Sequence, residues 1–218
     1  MVRRTKEEAQ ATRKLILDTA EVVFHERGVS RSTLNDIAQA AGLTRGAIYW
    51  HFKDKADLFN AMMERVTLPL EETAHRSDDE SLDDPIAYMR ANFLHALRLT
   101  ANDPQVRRVF GIAVHKVEYV DELLAVRDRH LKIRDECLLH AQRGVTLAMR
   151  RGLLPRRLPA RAAAIGLHAL IDGLIQNWLL DPEAFDLVKT GQQVLDAYLA
   201  GLGVAAPAAR KLERPAGP

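Results

Sequence analysis

Between Thr33 and Phe52 the chain reads TLNDIAQAAGLTRGAIYWHF. Thr33 is followed three places later by Asp36, the spacing of a capping box, in which side-chain oxygens satisfy the orphan amides at a helix start. Leu34, Ile37, Ala38 and Ala41 recur at helical intervals, Gly42 supplies a left-handed stop, and Leu43 can plug the turn into a core. Thr44 then caps a second short helix, with Ala47, Ile48 and Phe52 as its apolar contacts. Arg45, Gly46, Tyr49, Trp50 and His51 are left to face outward. Two aromatic rings on the open side of so short a helix require a partner. The pattern is that of a helix-turn-helix that reads DNA. Arg45 can reach a base edge or phosphate, Gly46 and Ala47 admit the duplex close to the backbone, and Tyr49 and His51 can donate to phosphate oxygens. Thr33, Thr44 and Trp50 complete the expected contact set on this stretch.

Working outward, the spacing predicts a first helix over about Lys6 to Arg27, with Thr5 and Glu8 as a capping box and Gly28 as its end. Ile16, Ala20, Val23 and Phe24 share one face, so this helix forms the third wall behind the reading unit. Val2, Arg3, Arg4 and Lys6 make a basic arm; a solvated tail and a contact to DNA phosphate or minor groove are equally compatible with it. After Phe52, Asp54 and Asp57 cap a helix carrying Leu58, Phe59, Met62, Met63 and Val66. Lys55 stands at the positive end of that helix and is expected to serve as a phosphate clamp.

The acidic stretch EETAHRSDDESLDD, residues 71–84, reads as an exposed loop or inter-helix turn. Further helices are expected from Pro85, again after the break at Asn102 to Pro104, over about 121–151, from Ala160 to Leu180 and from about Phe185 to Leu202. The arginines at 150, 151, 156 and 157 read as a solvated turn. Within 160–180, Ala162, Gly166, Ala169 and Gly173 form a stripe of small residues that a partner helix can approach closely. Ile165, His168, Asp172, Ile175 and Leu179 make the neighbouring stripe, where a carboxylate needs a partner. Every segment is helical, so the fold class is all-α.

Bulk properties agree without deciding anything. A chain of 218 residues with 47% hydrophobic content can bury a core. A net charge of +2 is too mild to mark a nucleic-acid binder, so any electrostatic footprint is local. The single cysteine, Cys137, excludes an intramolecular disulfide framework and suits a reducing cytoplasm, where the protein is expected to reside. No run long and apolar enough to span a bilayer and no signal-type start is expected, so no membrane partner is expected. No HExxH, Cys-rich metal spacing or Gly-rich phosphate loop occurs, and His168 with Asp172 lacks a nucleophile; neither an enzyme nor a metal or cofactor is expected.

The run through Ile37, Ala38, Ala41, Gly42, Leu43, Thr44, Gly46, Tyr49, His51, Phe52, Lys55 and Leu58 resembles the DNA-binding segment of the tetracycline-repressor (TetR) family. The opening VRRTKEEAQATR and the run TRGAIYWHF resemble its multidrug-efflux branch, the AcrR-like and TtgR-like repressors. The resemblance implies an N-terminal three-helix DNA-binding domain over residues 1–53 and a larger helical ligand-binding and dimerisation domain over 54–204. The Ala- and Pro-rich tail, 205–218, is expected to be disordered. Partners implied are a double-stranded palindromic operator, a hydrophobic or aromatic inducer, and a second copy of the chain in a homodimer.

ALIDGLIQNWLL, residues 169–180, resembles the branch at a position where an acid lines the drug cavity, which carries Asp172 over. HKVEY, residues 115–119, resembles it too, but Phe110 and Val114 stand where polar pocket groups occur, which implies a greasier pocket. Val66, Met89, Phe93, Ala96, His168, Ile175 and Gln176 are the other expected walls. The function implied is a repressor, of an efflux operon, released from DNA when ligand shifts the helix that begins near Lys55. Two alternatives stay open: control by a protein partner, and repression of catabolic genes with a different small inducer.

Overall fold

The computed structural model describes residues 6–204; the Thr5 cap, the arm residues before Lys6 and the tail over 205–218 lie outside the described residues. It contains the helices α1 (Lys6–Arg27), α2 (Leu34–Ala40), α3 (Arg45–His51), α4 (Lys55–His75), α5 (Pro85–Asn102), α6 (Pro104–His115), α7 (Leu124–Arg150), α8 (Ala160–Leu180) and α9 (Leu187–Leu202). No strand occurs among the described residues, in keeping with the all-α expectation.

Aspartates start four of these helices, because a carboxylate can accept from the unpaired amides of a first turn. Asp54 accepts from Asp57 N at 2.8 Å, and Asp186 from Lys189 N at 2.9 Å. Asp84 and Asp103 repeat one device, each preceding a proline at the first helical position and accepting from the two amides beyond it. The boundaries at 85 and 104 follow from that chemistry.

The first part of the acidic stretch departs from the loop expectation, whereas 79–84 is the turn between two helices. α4 runs on through Pro69 to His75, and a 3-10 turn follows at Arg76–Asp78. Tertiary partners override the polar composition here. Tyr88 and Asn92 of α5 both donate to Thr73 O at 3.1 Å, and Asp78 accepts from His140 of α7 at 2.9 Å.

Two apolar cores organise the body. The first joins Ile16, Ala20 and Phe24 of α1 to Ile37, Ile48, Leu58, Phe59 and Met62, and it also takes in Val109 and Ile112 of α6 and Leu123. Its packing therefore continues across residues 53 and 54 instead of stopping there. The second core gathers Leu97, Val145, Leu154, Ala163, Leu167, Trp178 and Leu195 from α5 and α7 to α9. A buried carboxylate, Glu21, adds a polar tie at the first core. It accepts from Gln105 Nε2 of α6 at 2.7 Å and lies 3.3 Å from Arg65 Nη1 of α4.

Two expectations for α8 need correction. By length and composition this helix, at mean hydropathy 1.2, is apolar enough to cross a membrane, because Ala, Ile and Leu outweigh its few polar residues. Its inner face, with Ala163, Ala164, Leu167 and Ile171, is packed into the body. The small-residue stripe is also not uniformly open. A Cβ at Gly166 would lie 2.1 Å from the hydroxyl of Tyr198 on α9, whereas one at Gly173 would meet nothing within 4 Å. The Tyr198 hydroxyl donates to Ala163 O at 3.0 Å, so an aromatic ring of the same chain covers the stripe at Gly166.

Candidate DNA-reading face and internal cavity

The reading unit is built by reciprocal capping. Thr33 N donates to Asp36 Oδ2 at 2.8 Å, and Asp36 N donates back to Thr33 Oγ1 at 3.1 Å. Those bonds from Thr33, side chain first, hold the Asp36 carboxyl below its usual range. Gly42 takes φ +65°, and Leu43 N closes the turn onto Ala38 O at 2.9 Å. Thr44 Oγ1 then accepts from Ala47 N at 3.2 Å and starts α3. Ile48 and Phe52 are buried, which fixes the rotation of α3 and turns Arg45, Gly46, Tyr49 and Trp50 outward.

Trp50 is 69% exposed and Tyr49 47%, a large apolar presentation for a seven-residue helix. The Arg45 guanidinium lies over the Tyr49 ring, 5.3 Å from its centroid, so cation and phenol are presented together. A Cβ at Gly46 would come no nearer to the chain than 4.0 Å, from Thr44 Oγ1, which leaves that side open to a partner. Ala47 and His51 are half-buried, the His51 ring sitting edge-on to Trp50 at 4.5 Å.

Lys55 departs from the expected phosphate clamp. Its side chain is 8% exposed, and Nζ donates to Glu122 Oε1 at 2.6 Å, Ser32 O at 2.9 Å and Ser30 O at 3.3 Å. All three ammonium donors are thus engaged inside the protein. Exposed residues that the sequence reading passed over flank the same cleft: Arg31, Asn35 and Lys53 stand beside Thr33, Arg45 and Tyr49. Their signal in the sequence was only position, one turn or less from the caps.

A second feature is a cavity of about 480 Å³ bounded by α4 to α8 and open to solvent beside Tyr119, Asp172 and Gln176, within the range of sites for drug-sized molecules. Met89, Phe93, Ala96, Phe110, Val114, His168, Asp172, Ile175 and Gln176 all stand on its wall. Val66 does not; it is buried in the first core, because it shares the α4 stripe of Phe59 and Met62. The α4 wall comes instead from Asn60, Met63, Thr67 and Glu71, one helical step round. That mixed stripe was legible at three- and four-residue spacing, yet its polar members read as a solvent face.

The wall is apolar with polar groups at two places. Thr67 Oγ1 and Glu71 Oε1 are shielded and make no hydrogen bond in the chain, and the guanidinium of Arg129 on α7 lies 3.6 Å from Glu71. At the α8 side, Asp172 is exposed and accepts from Gln176 Nε2 at 2.9 Å, which meets the need for a partner on that stripe. Burial pushes the His168 imidazole down; Asp172 opposes the shift, while Arg134 and His130 reinforce it. Burial, with Glu71 and Glu136 nearby, pushes the Cys137 thiol on the wall up to about 11, so it is protonated and unreactive at neutral pH. No group of side chains that could hold a metal ion occurs among the described residues.

A helix-turn-helix with an open reading helix, mounted on a helical body around an apolar cavity, defines a one-component DNA-binding regulator. Residues 16–62 match the model for bacterial regulatory proteins of the tetR family, and residues 84–204 match the C-terminal region of MAATS-type transcriptional repressors. The chain belongs to the TetR family, whose members are non-enzymatic DNA-binding regulators.

Among curated relatives, the transcriptional regulator TtgR of Pseudomonas putida is 42% identical over 97% of this chain and 100% of its own length. The structure of NalD, the secondary repressor of the MexAB-OprM multidrug efflux pump in Pseudomonas aeruginosa, superposes with TM-score 0.83 at 35% identity, covering 90% of this chain and 98% of that one. SmeT, the repressor of a Stenotrophomonas maltophilia multidrug efflux pump, superposes in its triclosan complex with TM-score 0.82 at 33% identity, covering 92% and 97%.

Proposed function

We propose that this protein represses a multidrug efflux operon in the cytoplasm, binding a palindromic operator as a homodimer and leaving it when a hydrophobic or aromatic compound enters the cavity. The observation that carries this reading is the span of α4. Its first turn follows the reading helix directly, and its later turns form a wall of the cavity through Met63, Thr67 and Glu71. A ligand that favours one position of α4 over another therefore biases the reading heads, and only such differential binding can regulate. The likeness to NalD and SmeT supports efflux control, and the triclosan complex of SmeT supports an aromatic ligand. Residues 1–53 supply the reading head, and 54–204 supply the sensor and the dimer contact.

The test uses an operator selected from random DNA by the protein itself. Triclosan is expected to weaken operator binding of the wild type, and Asp172→Ala to shift the triclosan titration while leaving ligand-free operator affinity within about twofold. Wild-type operator affinity that is indifferent to triclosan and to a panel of hydrophobic drugs would overturn the ligand-release reading.

A further inference from the structure

Between α6 and α7 the chain runs from Lys116 to Val120 without helix, then makes a 3-10 turn at Asp121–Leu123. This short strap has two sides. On one, Val117 and Tyr119 stand on the cavity wall. On the other, Lys116 O accepts from Val29 N at 2.9 Å, and Glu122 Oε1 accepts from Lys55 Nζ at 2.6 Å. Leu123, fully buried, anchors its end in the first core.

One outer contact lands directly on the connection between α1 and α2, and the other reaches it through Lys55. Val29 is the second residue of that connection, and Lys55 binds the carbonyls of Ser30 and Ser32 within it. Ser32 immediately precedes Thr33, the cap of α2. Hydrogen bonds thus tie the strap, whose Val117 and Tyr119 stand on the cavity wall, to the residue that precedes the reading unit, using Lys55 at the very start of α4 but not the length of that helix. Glu122 is half exposed, so the ion pair is of little worth as a surface attraction. Its weight lies in what it neutralises: without Glu122, a buried ammonium faces only two carbonyl dipoles and the connection loses its fixed anchor.

We infer that the strap is a second joint between cavity and reading head, and that Glu122, acting through Lys55, is a positioning residue for α2 and α3. An occupant of the cavity that displaces Val117 or Tyr119 moves Lys116 and Glu122 with them, and the connection over 29–32 follows. The inference rests on the cavity being the inducer site.

Three measurements on the full chain test it, with Glu122→Ala and Glu122→Gln as variants, a selected operator duplex, and triclosan as the probe. Glu122→Ala is expected to bind triclosan in the absence of DNA within about twofold of wild type. The ratio of its operator Kd with and without saturating triclosan should nevertheless fall by about threefold or more. Glu122→Gln, which keeps an acceptor for Lys55, should lose less. Hydrogen exchange at the Val29 and Ser32 amides should rise by about fivefold or more in Glu122→Ala, with α8 unchanged. An unchanged ratio at intact triclosan affinity overturns the joint. Failure of triclosan to bind the wild type counts against the cavity reading instead, and the exchange result then decides the strap: unchanged protection of Val29 and Ser32 overturns it.

Discussion

Gly42 and Gly46 stand four residues apart, and alanine should affect them in opposite ways. Gly42 holds φ +65°, where a Cβ is strained by roughly 1–2 kcal/mol, so Gly42→Ala should lower the melting temperature. Gly46 lies inside α3 with open space around it, and alanine is the better helix former by up to about 1 kcal/mol. Gly46→Ala should therefore melt no lower than wild type, yet a methyl group on the reading face should cost about tenfold in operator affinity, read by fluorescence anisotropy. Undiminished affinity would remove Gly46 from the DNA contact. His168 carries a pH signature. Its folded pKa lies below the usual 6.5 because burial disfavours the cation, so the unfolded chain binds the proton more readily. The stability this contributes is present above pH 6.5 and is lost as pH falls through the depressed value. His168→Gln should flatten that decline in urea titrations between pH 7 and 5. Individual residues were legible where backbone chemistry dictates them, as at Thr33, Gly42 and Thr44. Lys55 was not, because nothing local says that Ser30, Ser32 and Glu122 will surround it.

At the scale of the element, α4 shows what periodicity reveals and what it hides. Its apolar stripe through Leu58, Phe59 and Met62 is plain in the sequence and fills the first core. The adjoining stripe through Asn60, Thr67 and Glu71 has the composition of a wetted face, and only the arrival of α5 and α7 encloses it. The end of α4 was misread for the same reason: residues 71–75 are polar, and their helical state depends on Tyr88, Asn92 and Arg129 from distant sequence. The helix starts at Pro85 and Pro104 were legible because cap and proline act within four residues. Helix-to-helix polar ties are the least legible of all. Glu21 of α1, 2% exposed, reads as one more acid on an amphipathic helix, yet it holds Arg65 of α4 and Gln105 of α6. Glu21→Ala should destabilise the fold by about 1–3 kcal/mol in urea denaturation, since it removes the acceptor of Gln105 and one of the two counter-charges of Arg65, whose pair with Asp18 at 2.7 Å remains. Glu21→Gln, keeping an acceptor for Gln105, should cost less. Equal stability of both variants and wild type would reduce this tie to a surface pair.

For the whole molecule the question is what covers the outer face of α8. Ile165 is 45% and Leu180 68% exposed, Ala169 and Asp172 are exposed between them, and a Cβ at Gly173 would meet nothing. Val194 and Ala197 of α9 are exposed as well. This face accounts for the membrane-like hydropathy of α8, and an apolar helix surface of this kind demands an apolar partner. Under the proposed homodimer a second copy covers it, which would also serve the reading function, because two heads on one DNA face must be held about 34 Å apart, or a multiple of it. Tyr198 over Gly166 limits the close approach to the half of the stripe around Gly173, so the dimer seam should be centred there and not along the whole helix. Ala169→Glu combined with Gly173→Glu places two like charges on each side of that seam. The double variant should sediment as a monomer with its helical circular dichroism intact. Its operator affinity should fall by about 100-fold or more, because the gain from linking two heads is lost. A variant that remains dimeric and binds operator normally would put the seam elsewhere, and a footprint without two-fold symmetry would dispose of the paired heads altogether.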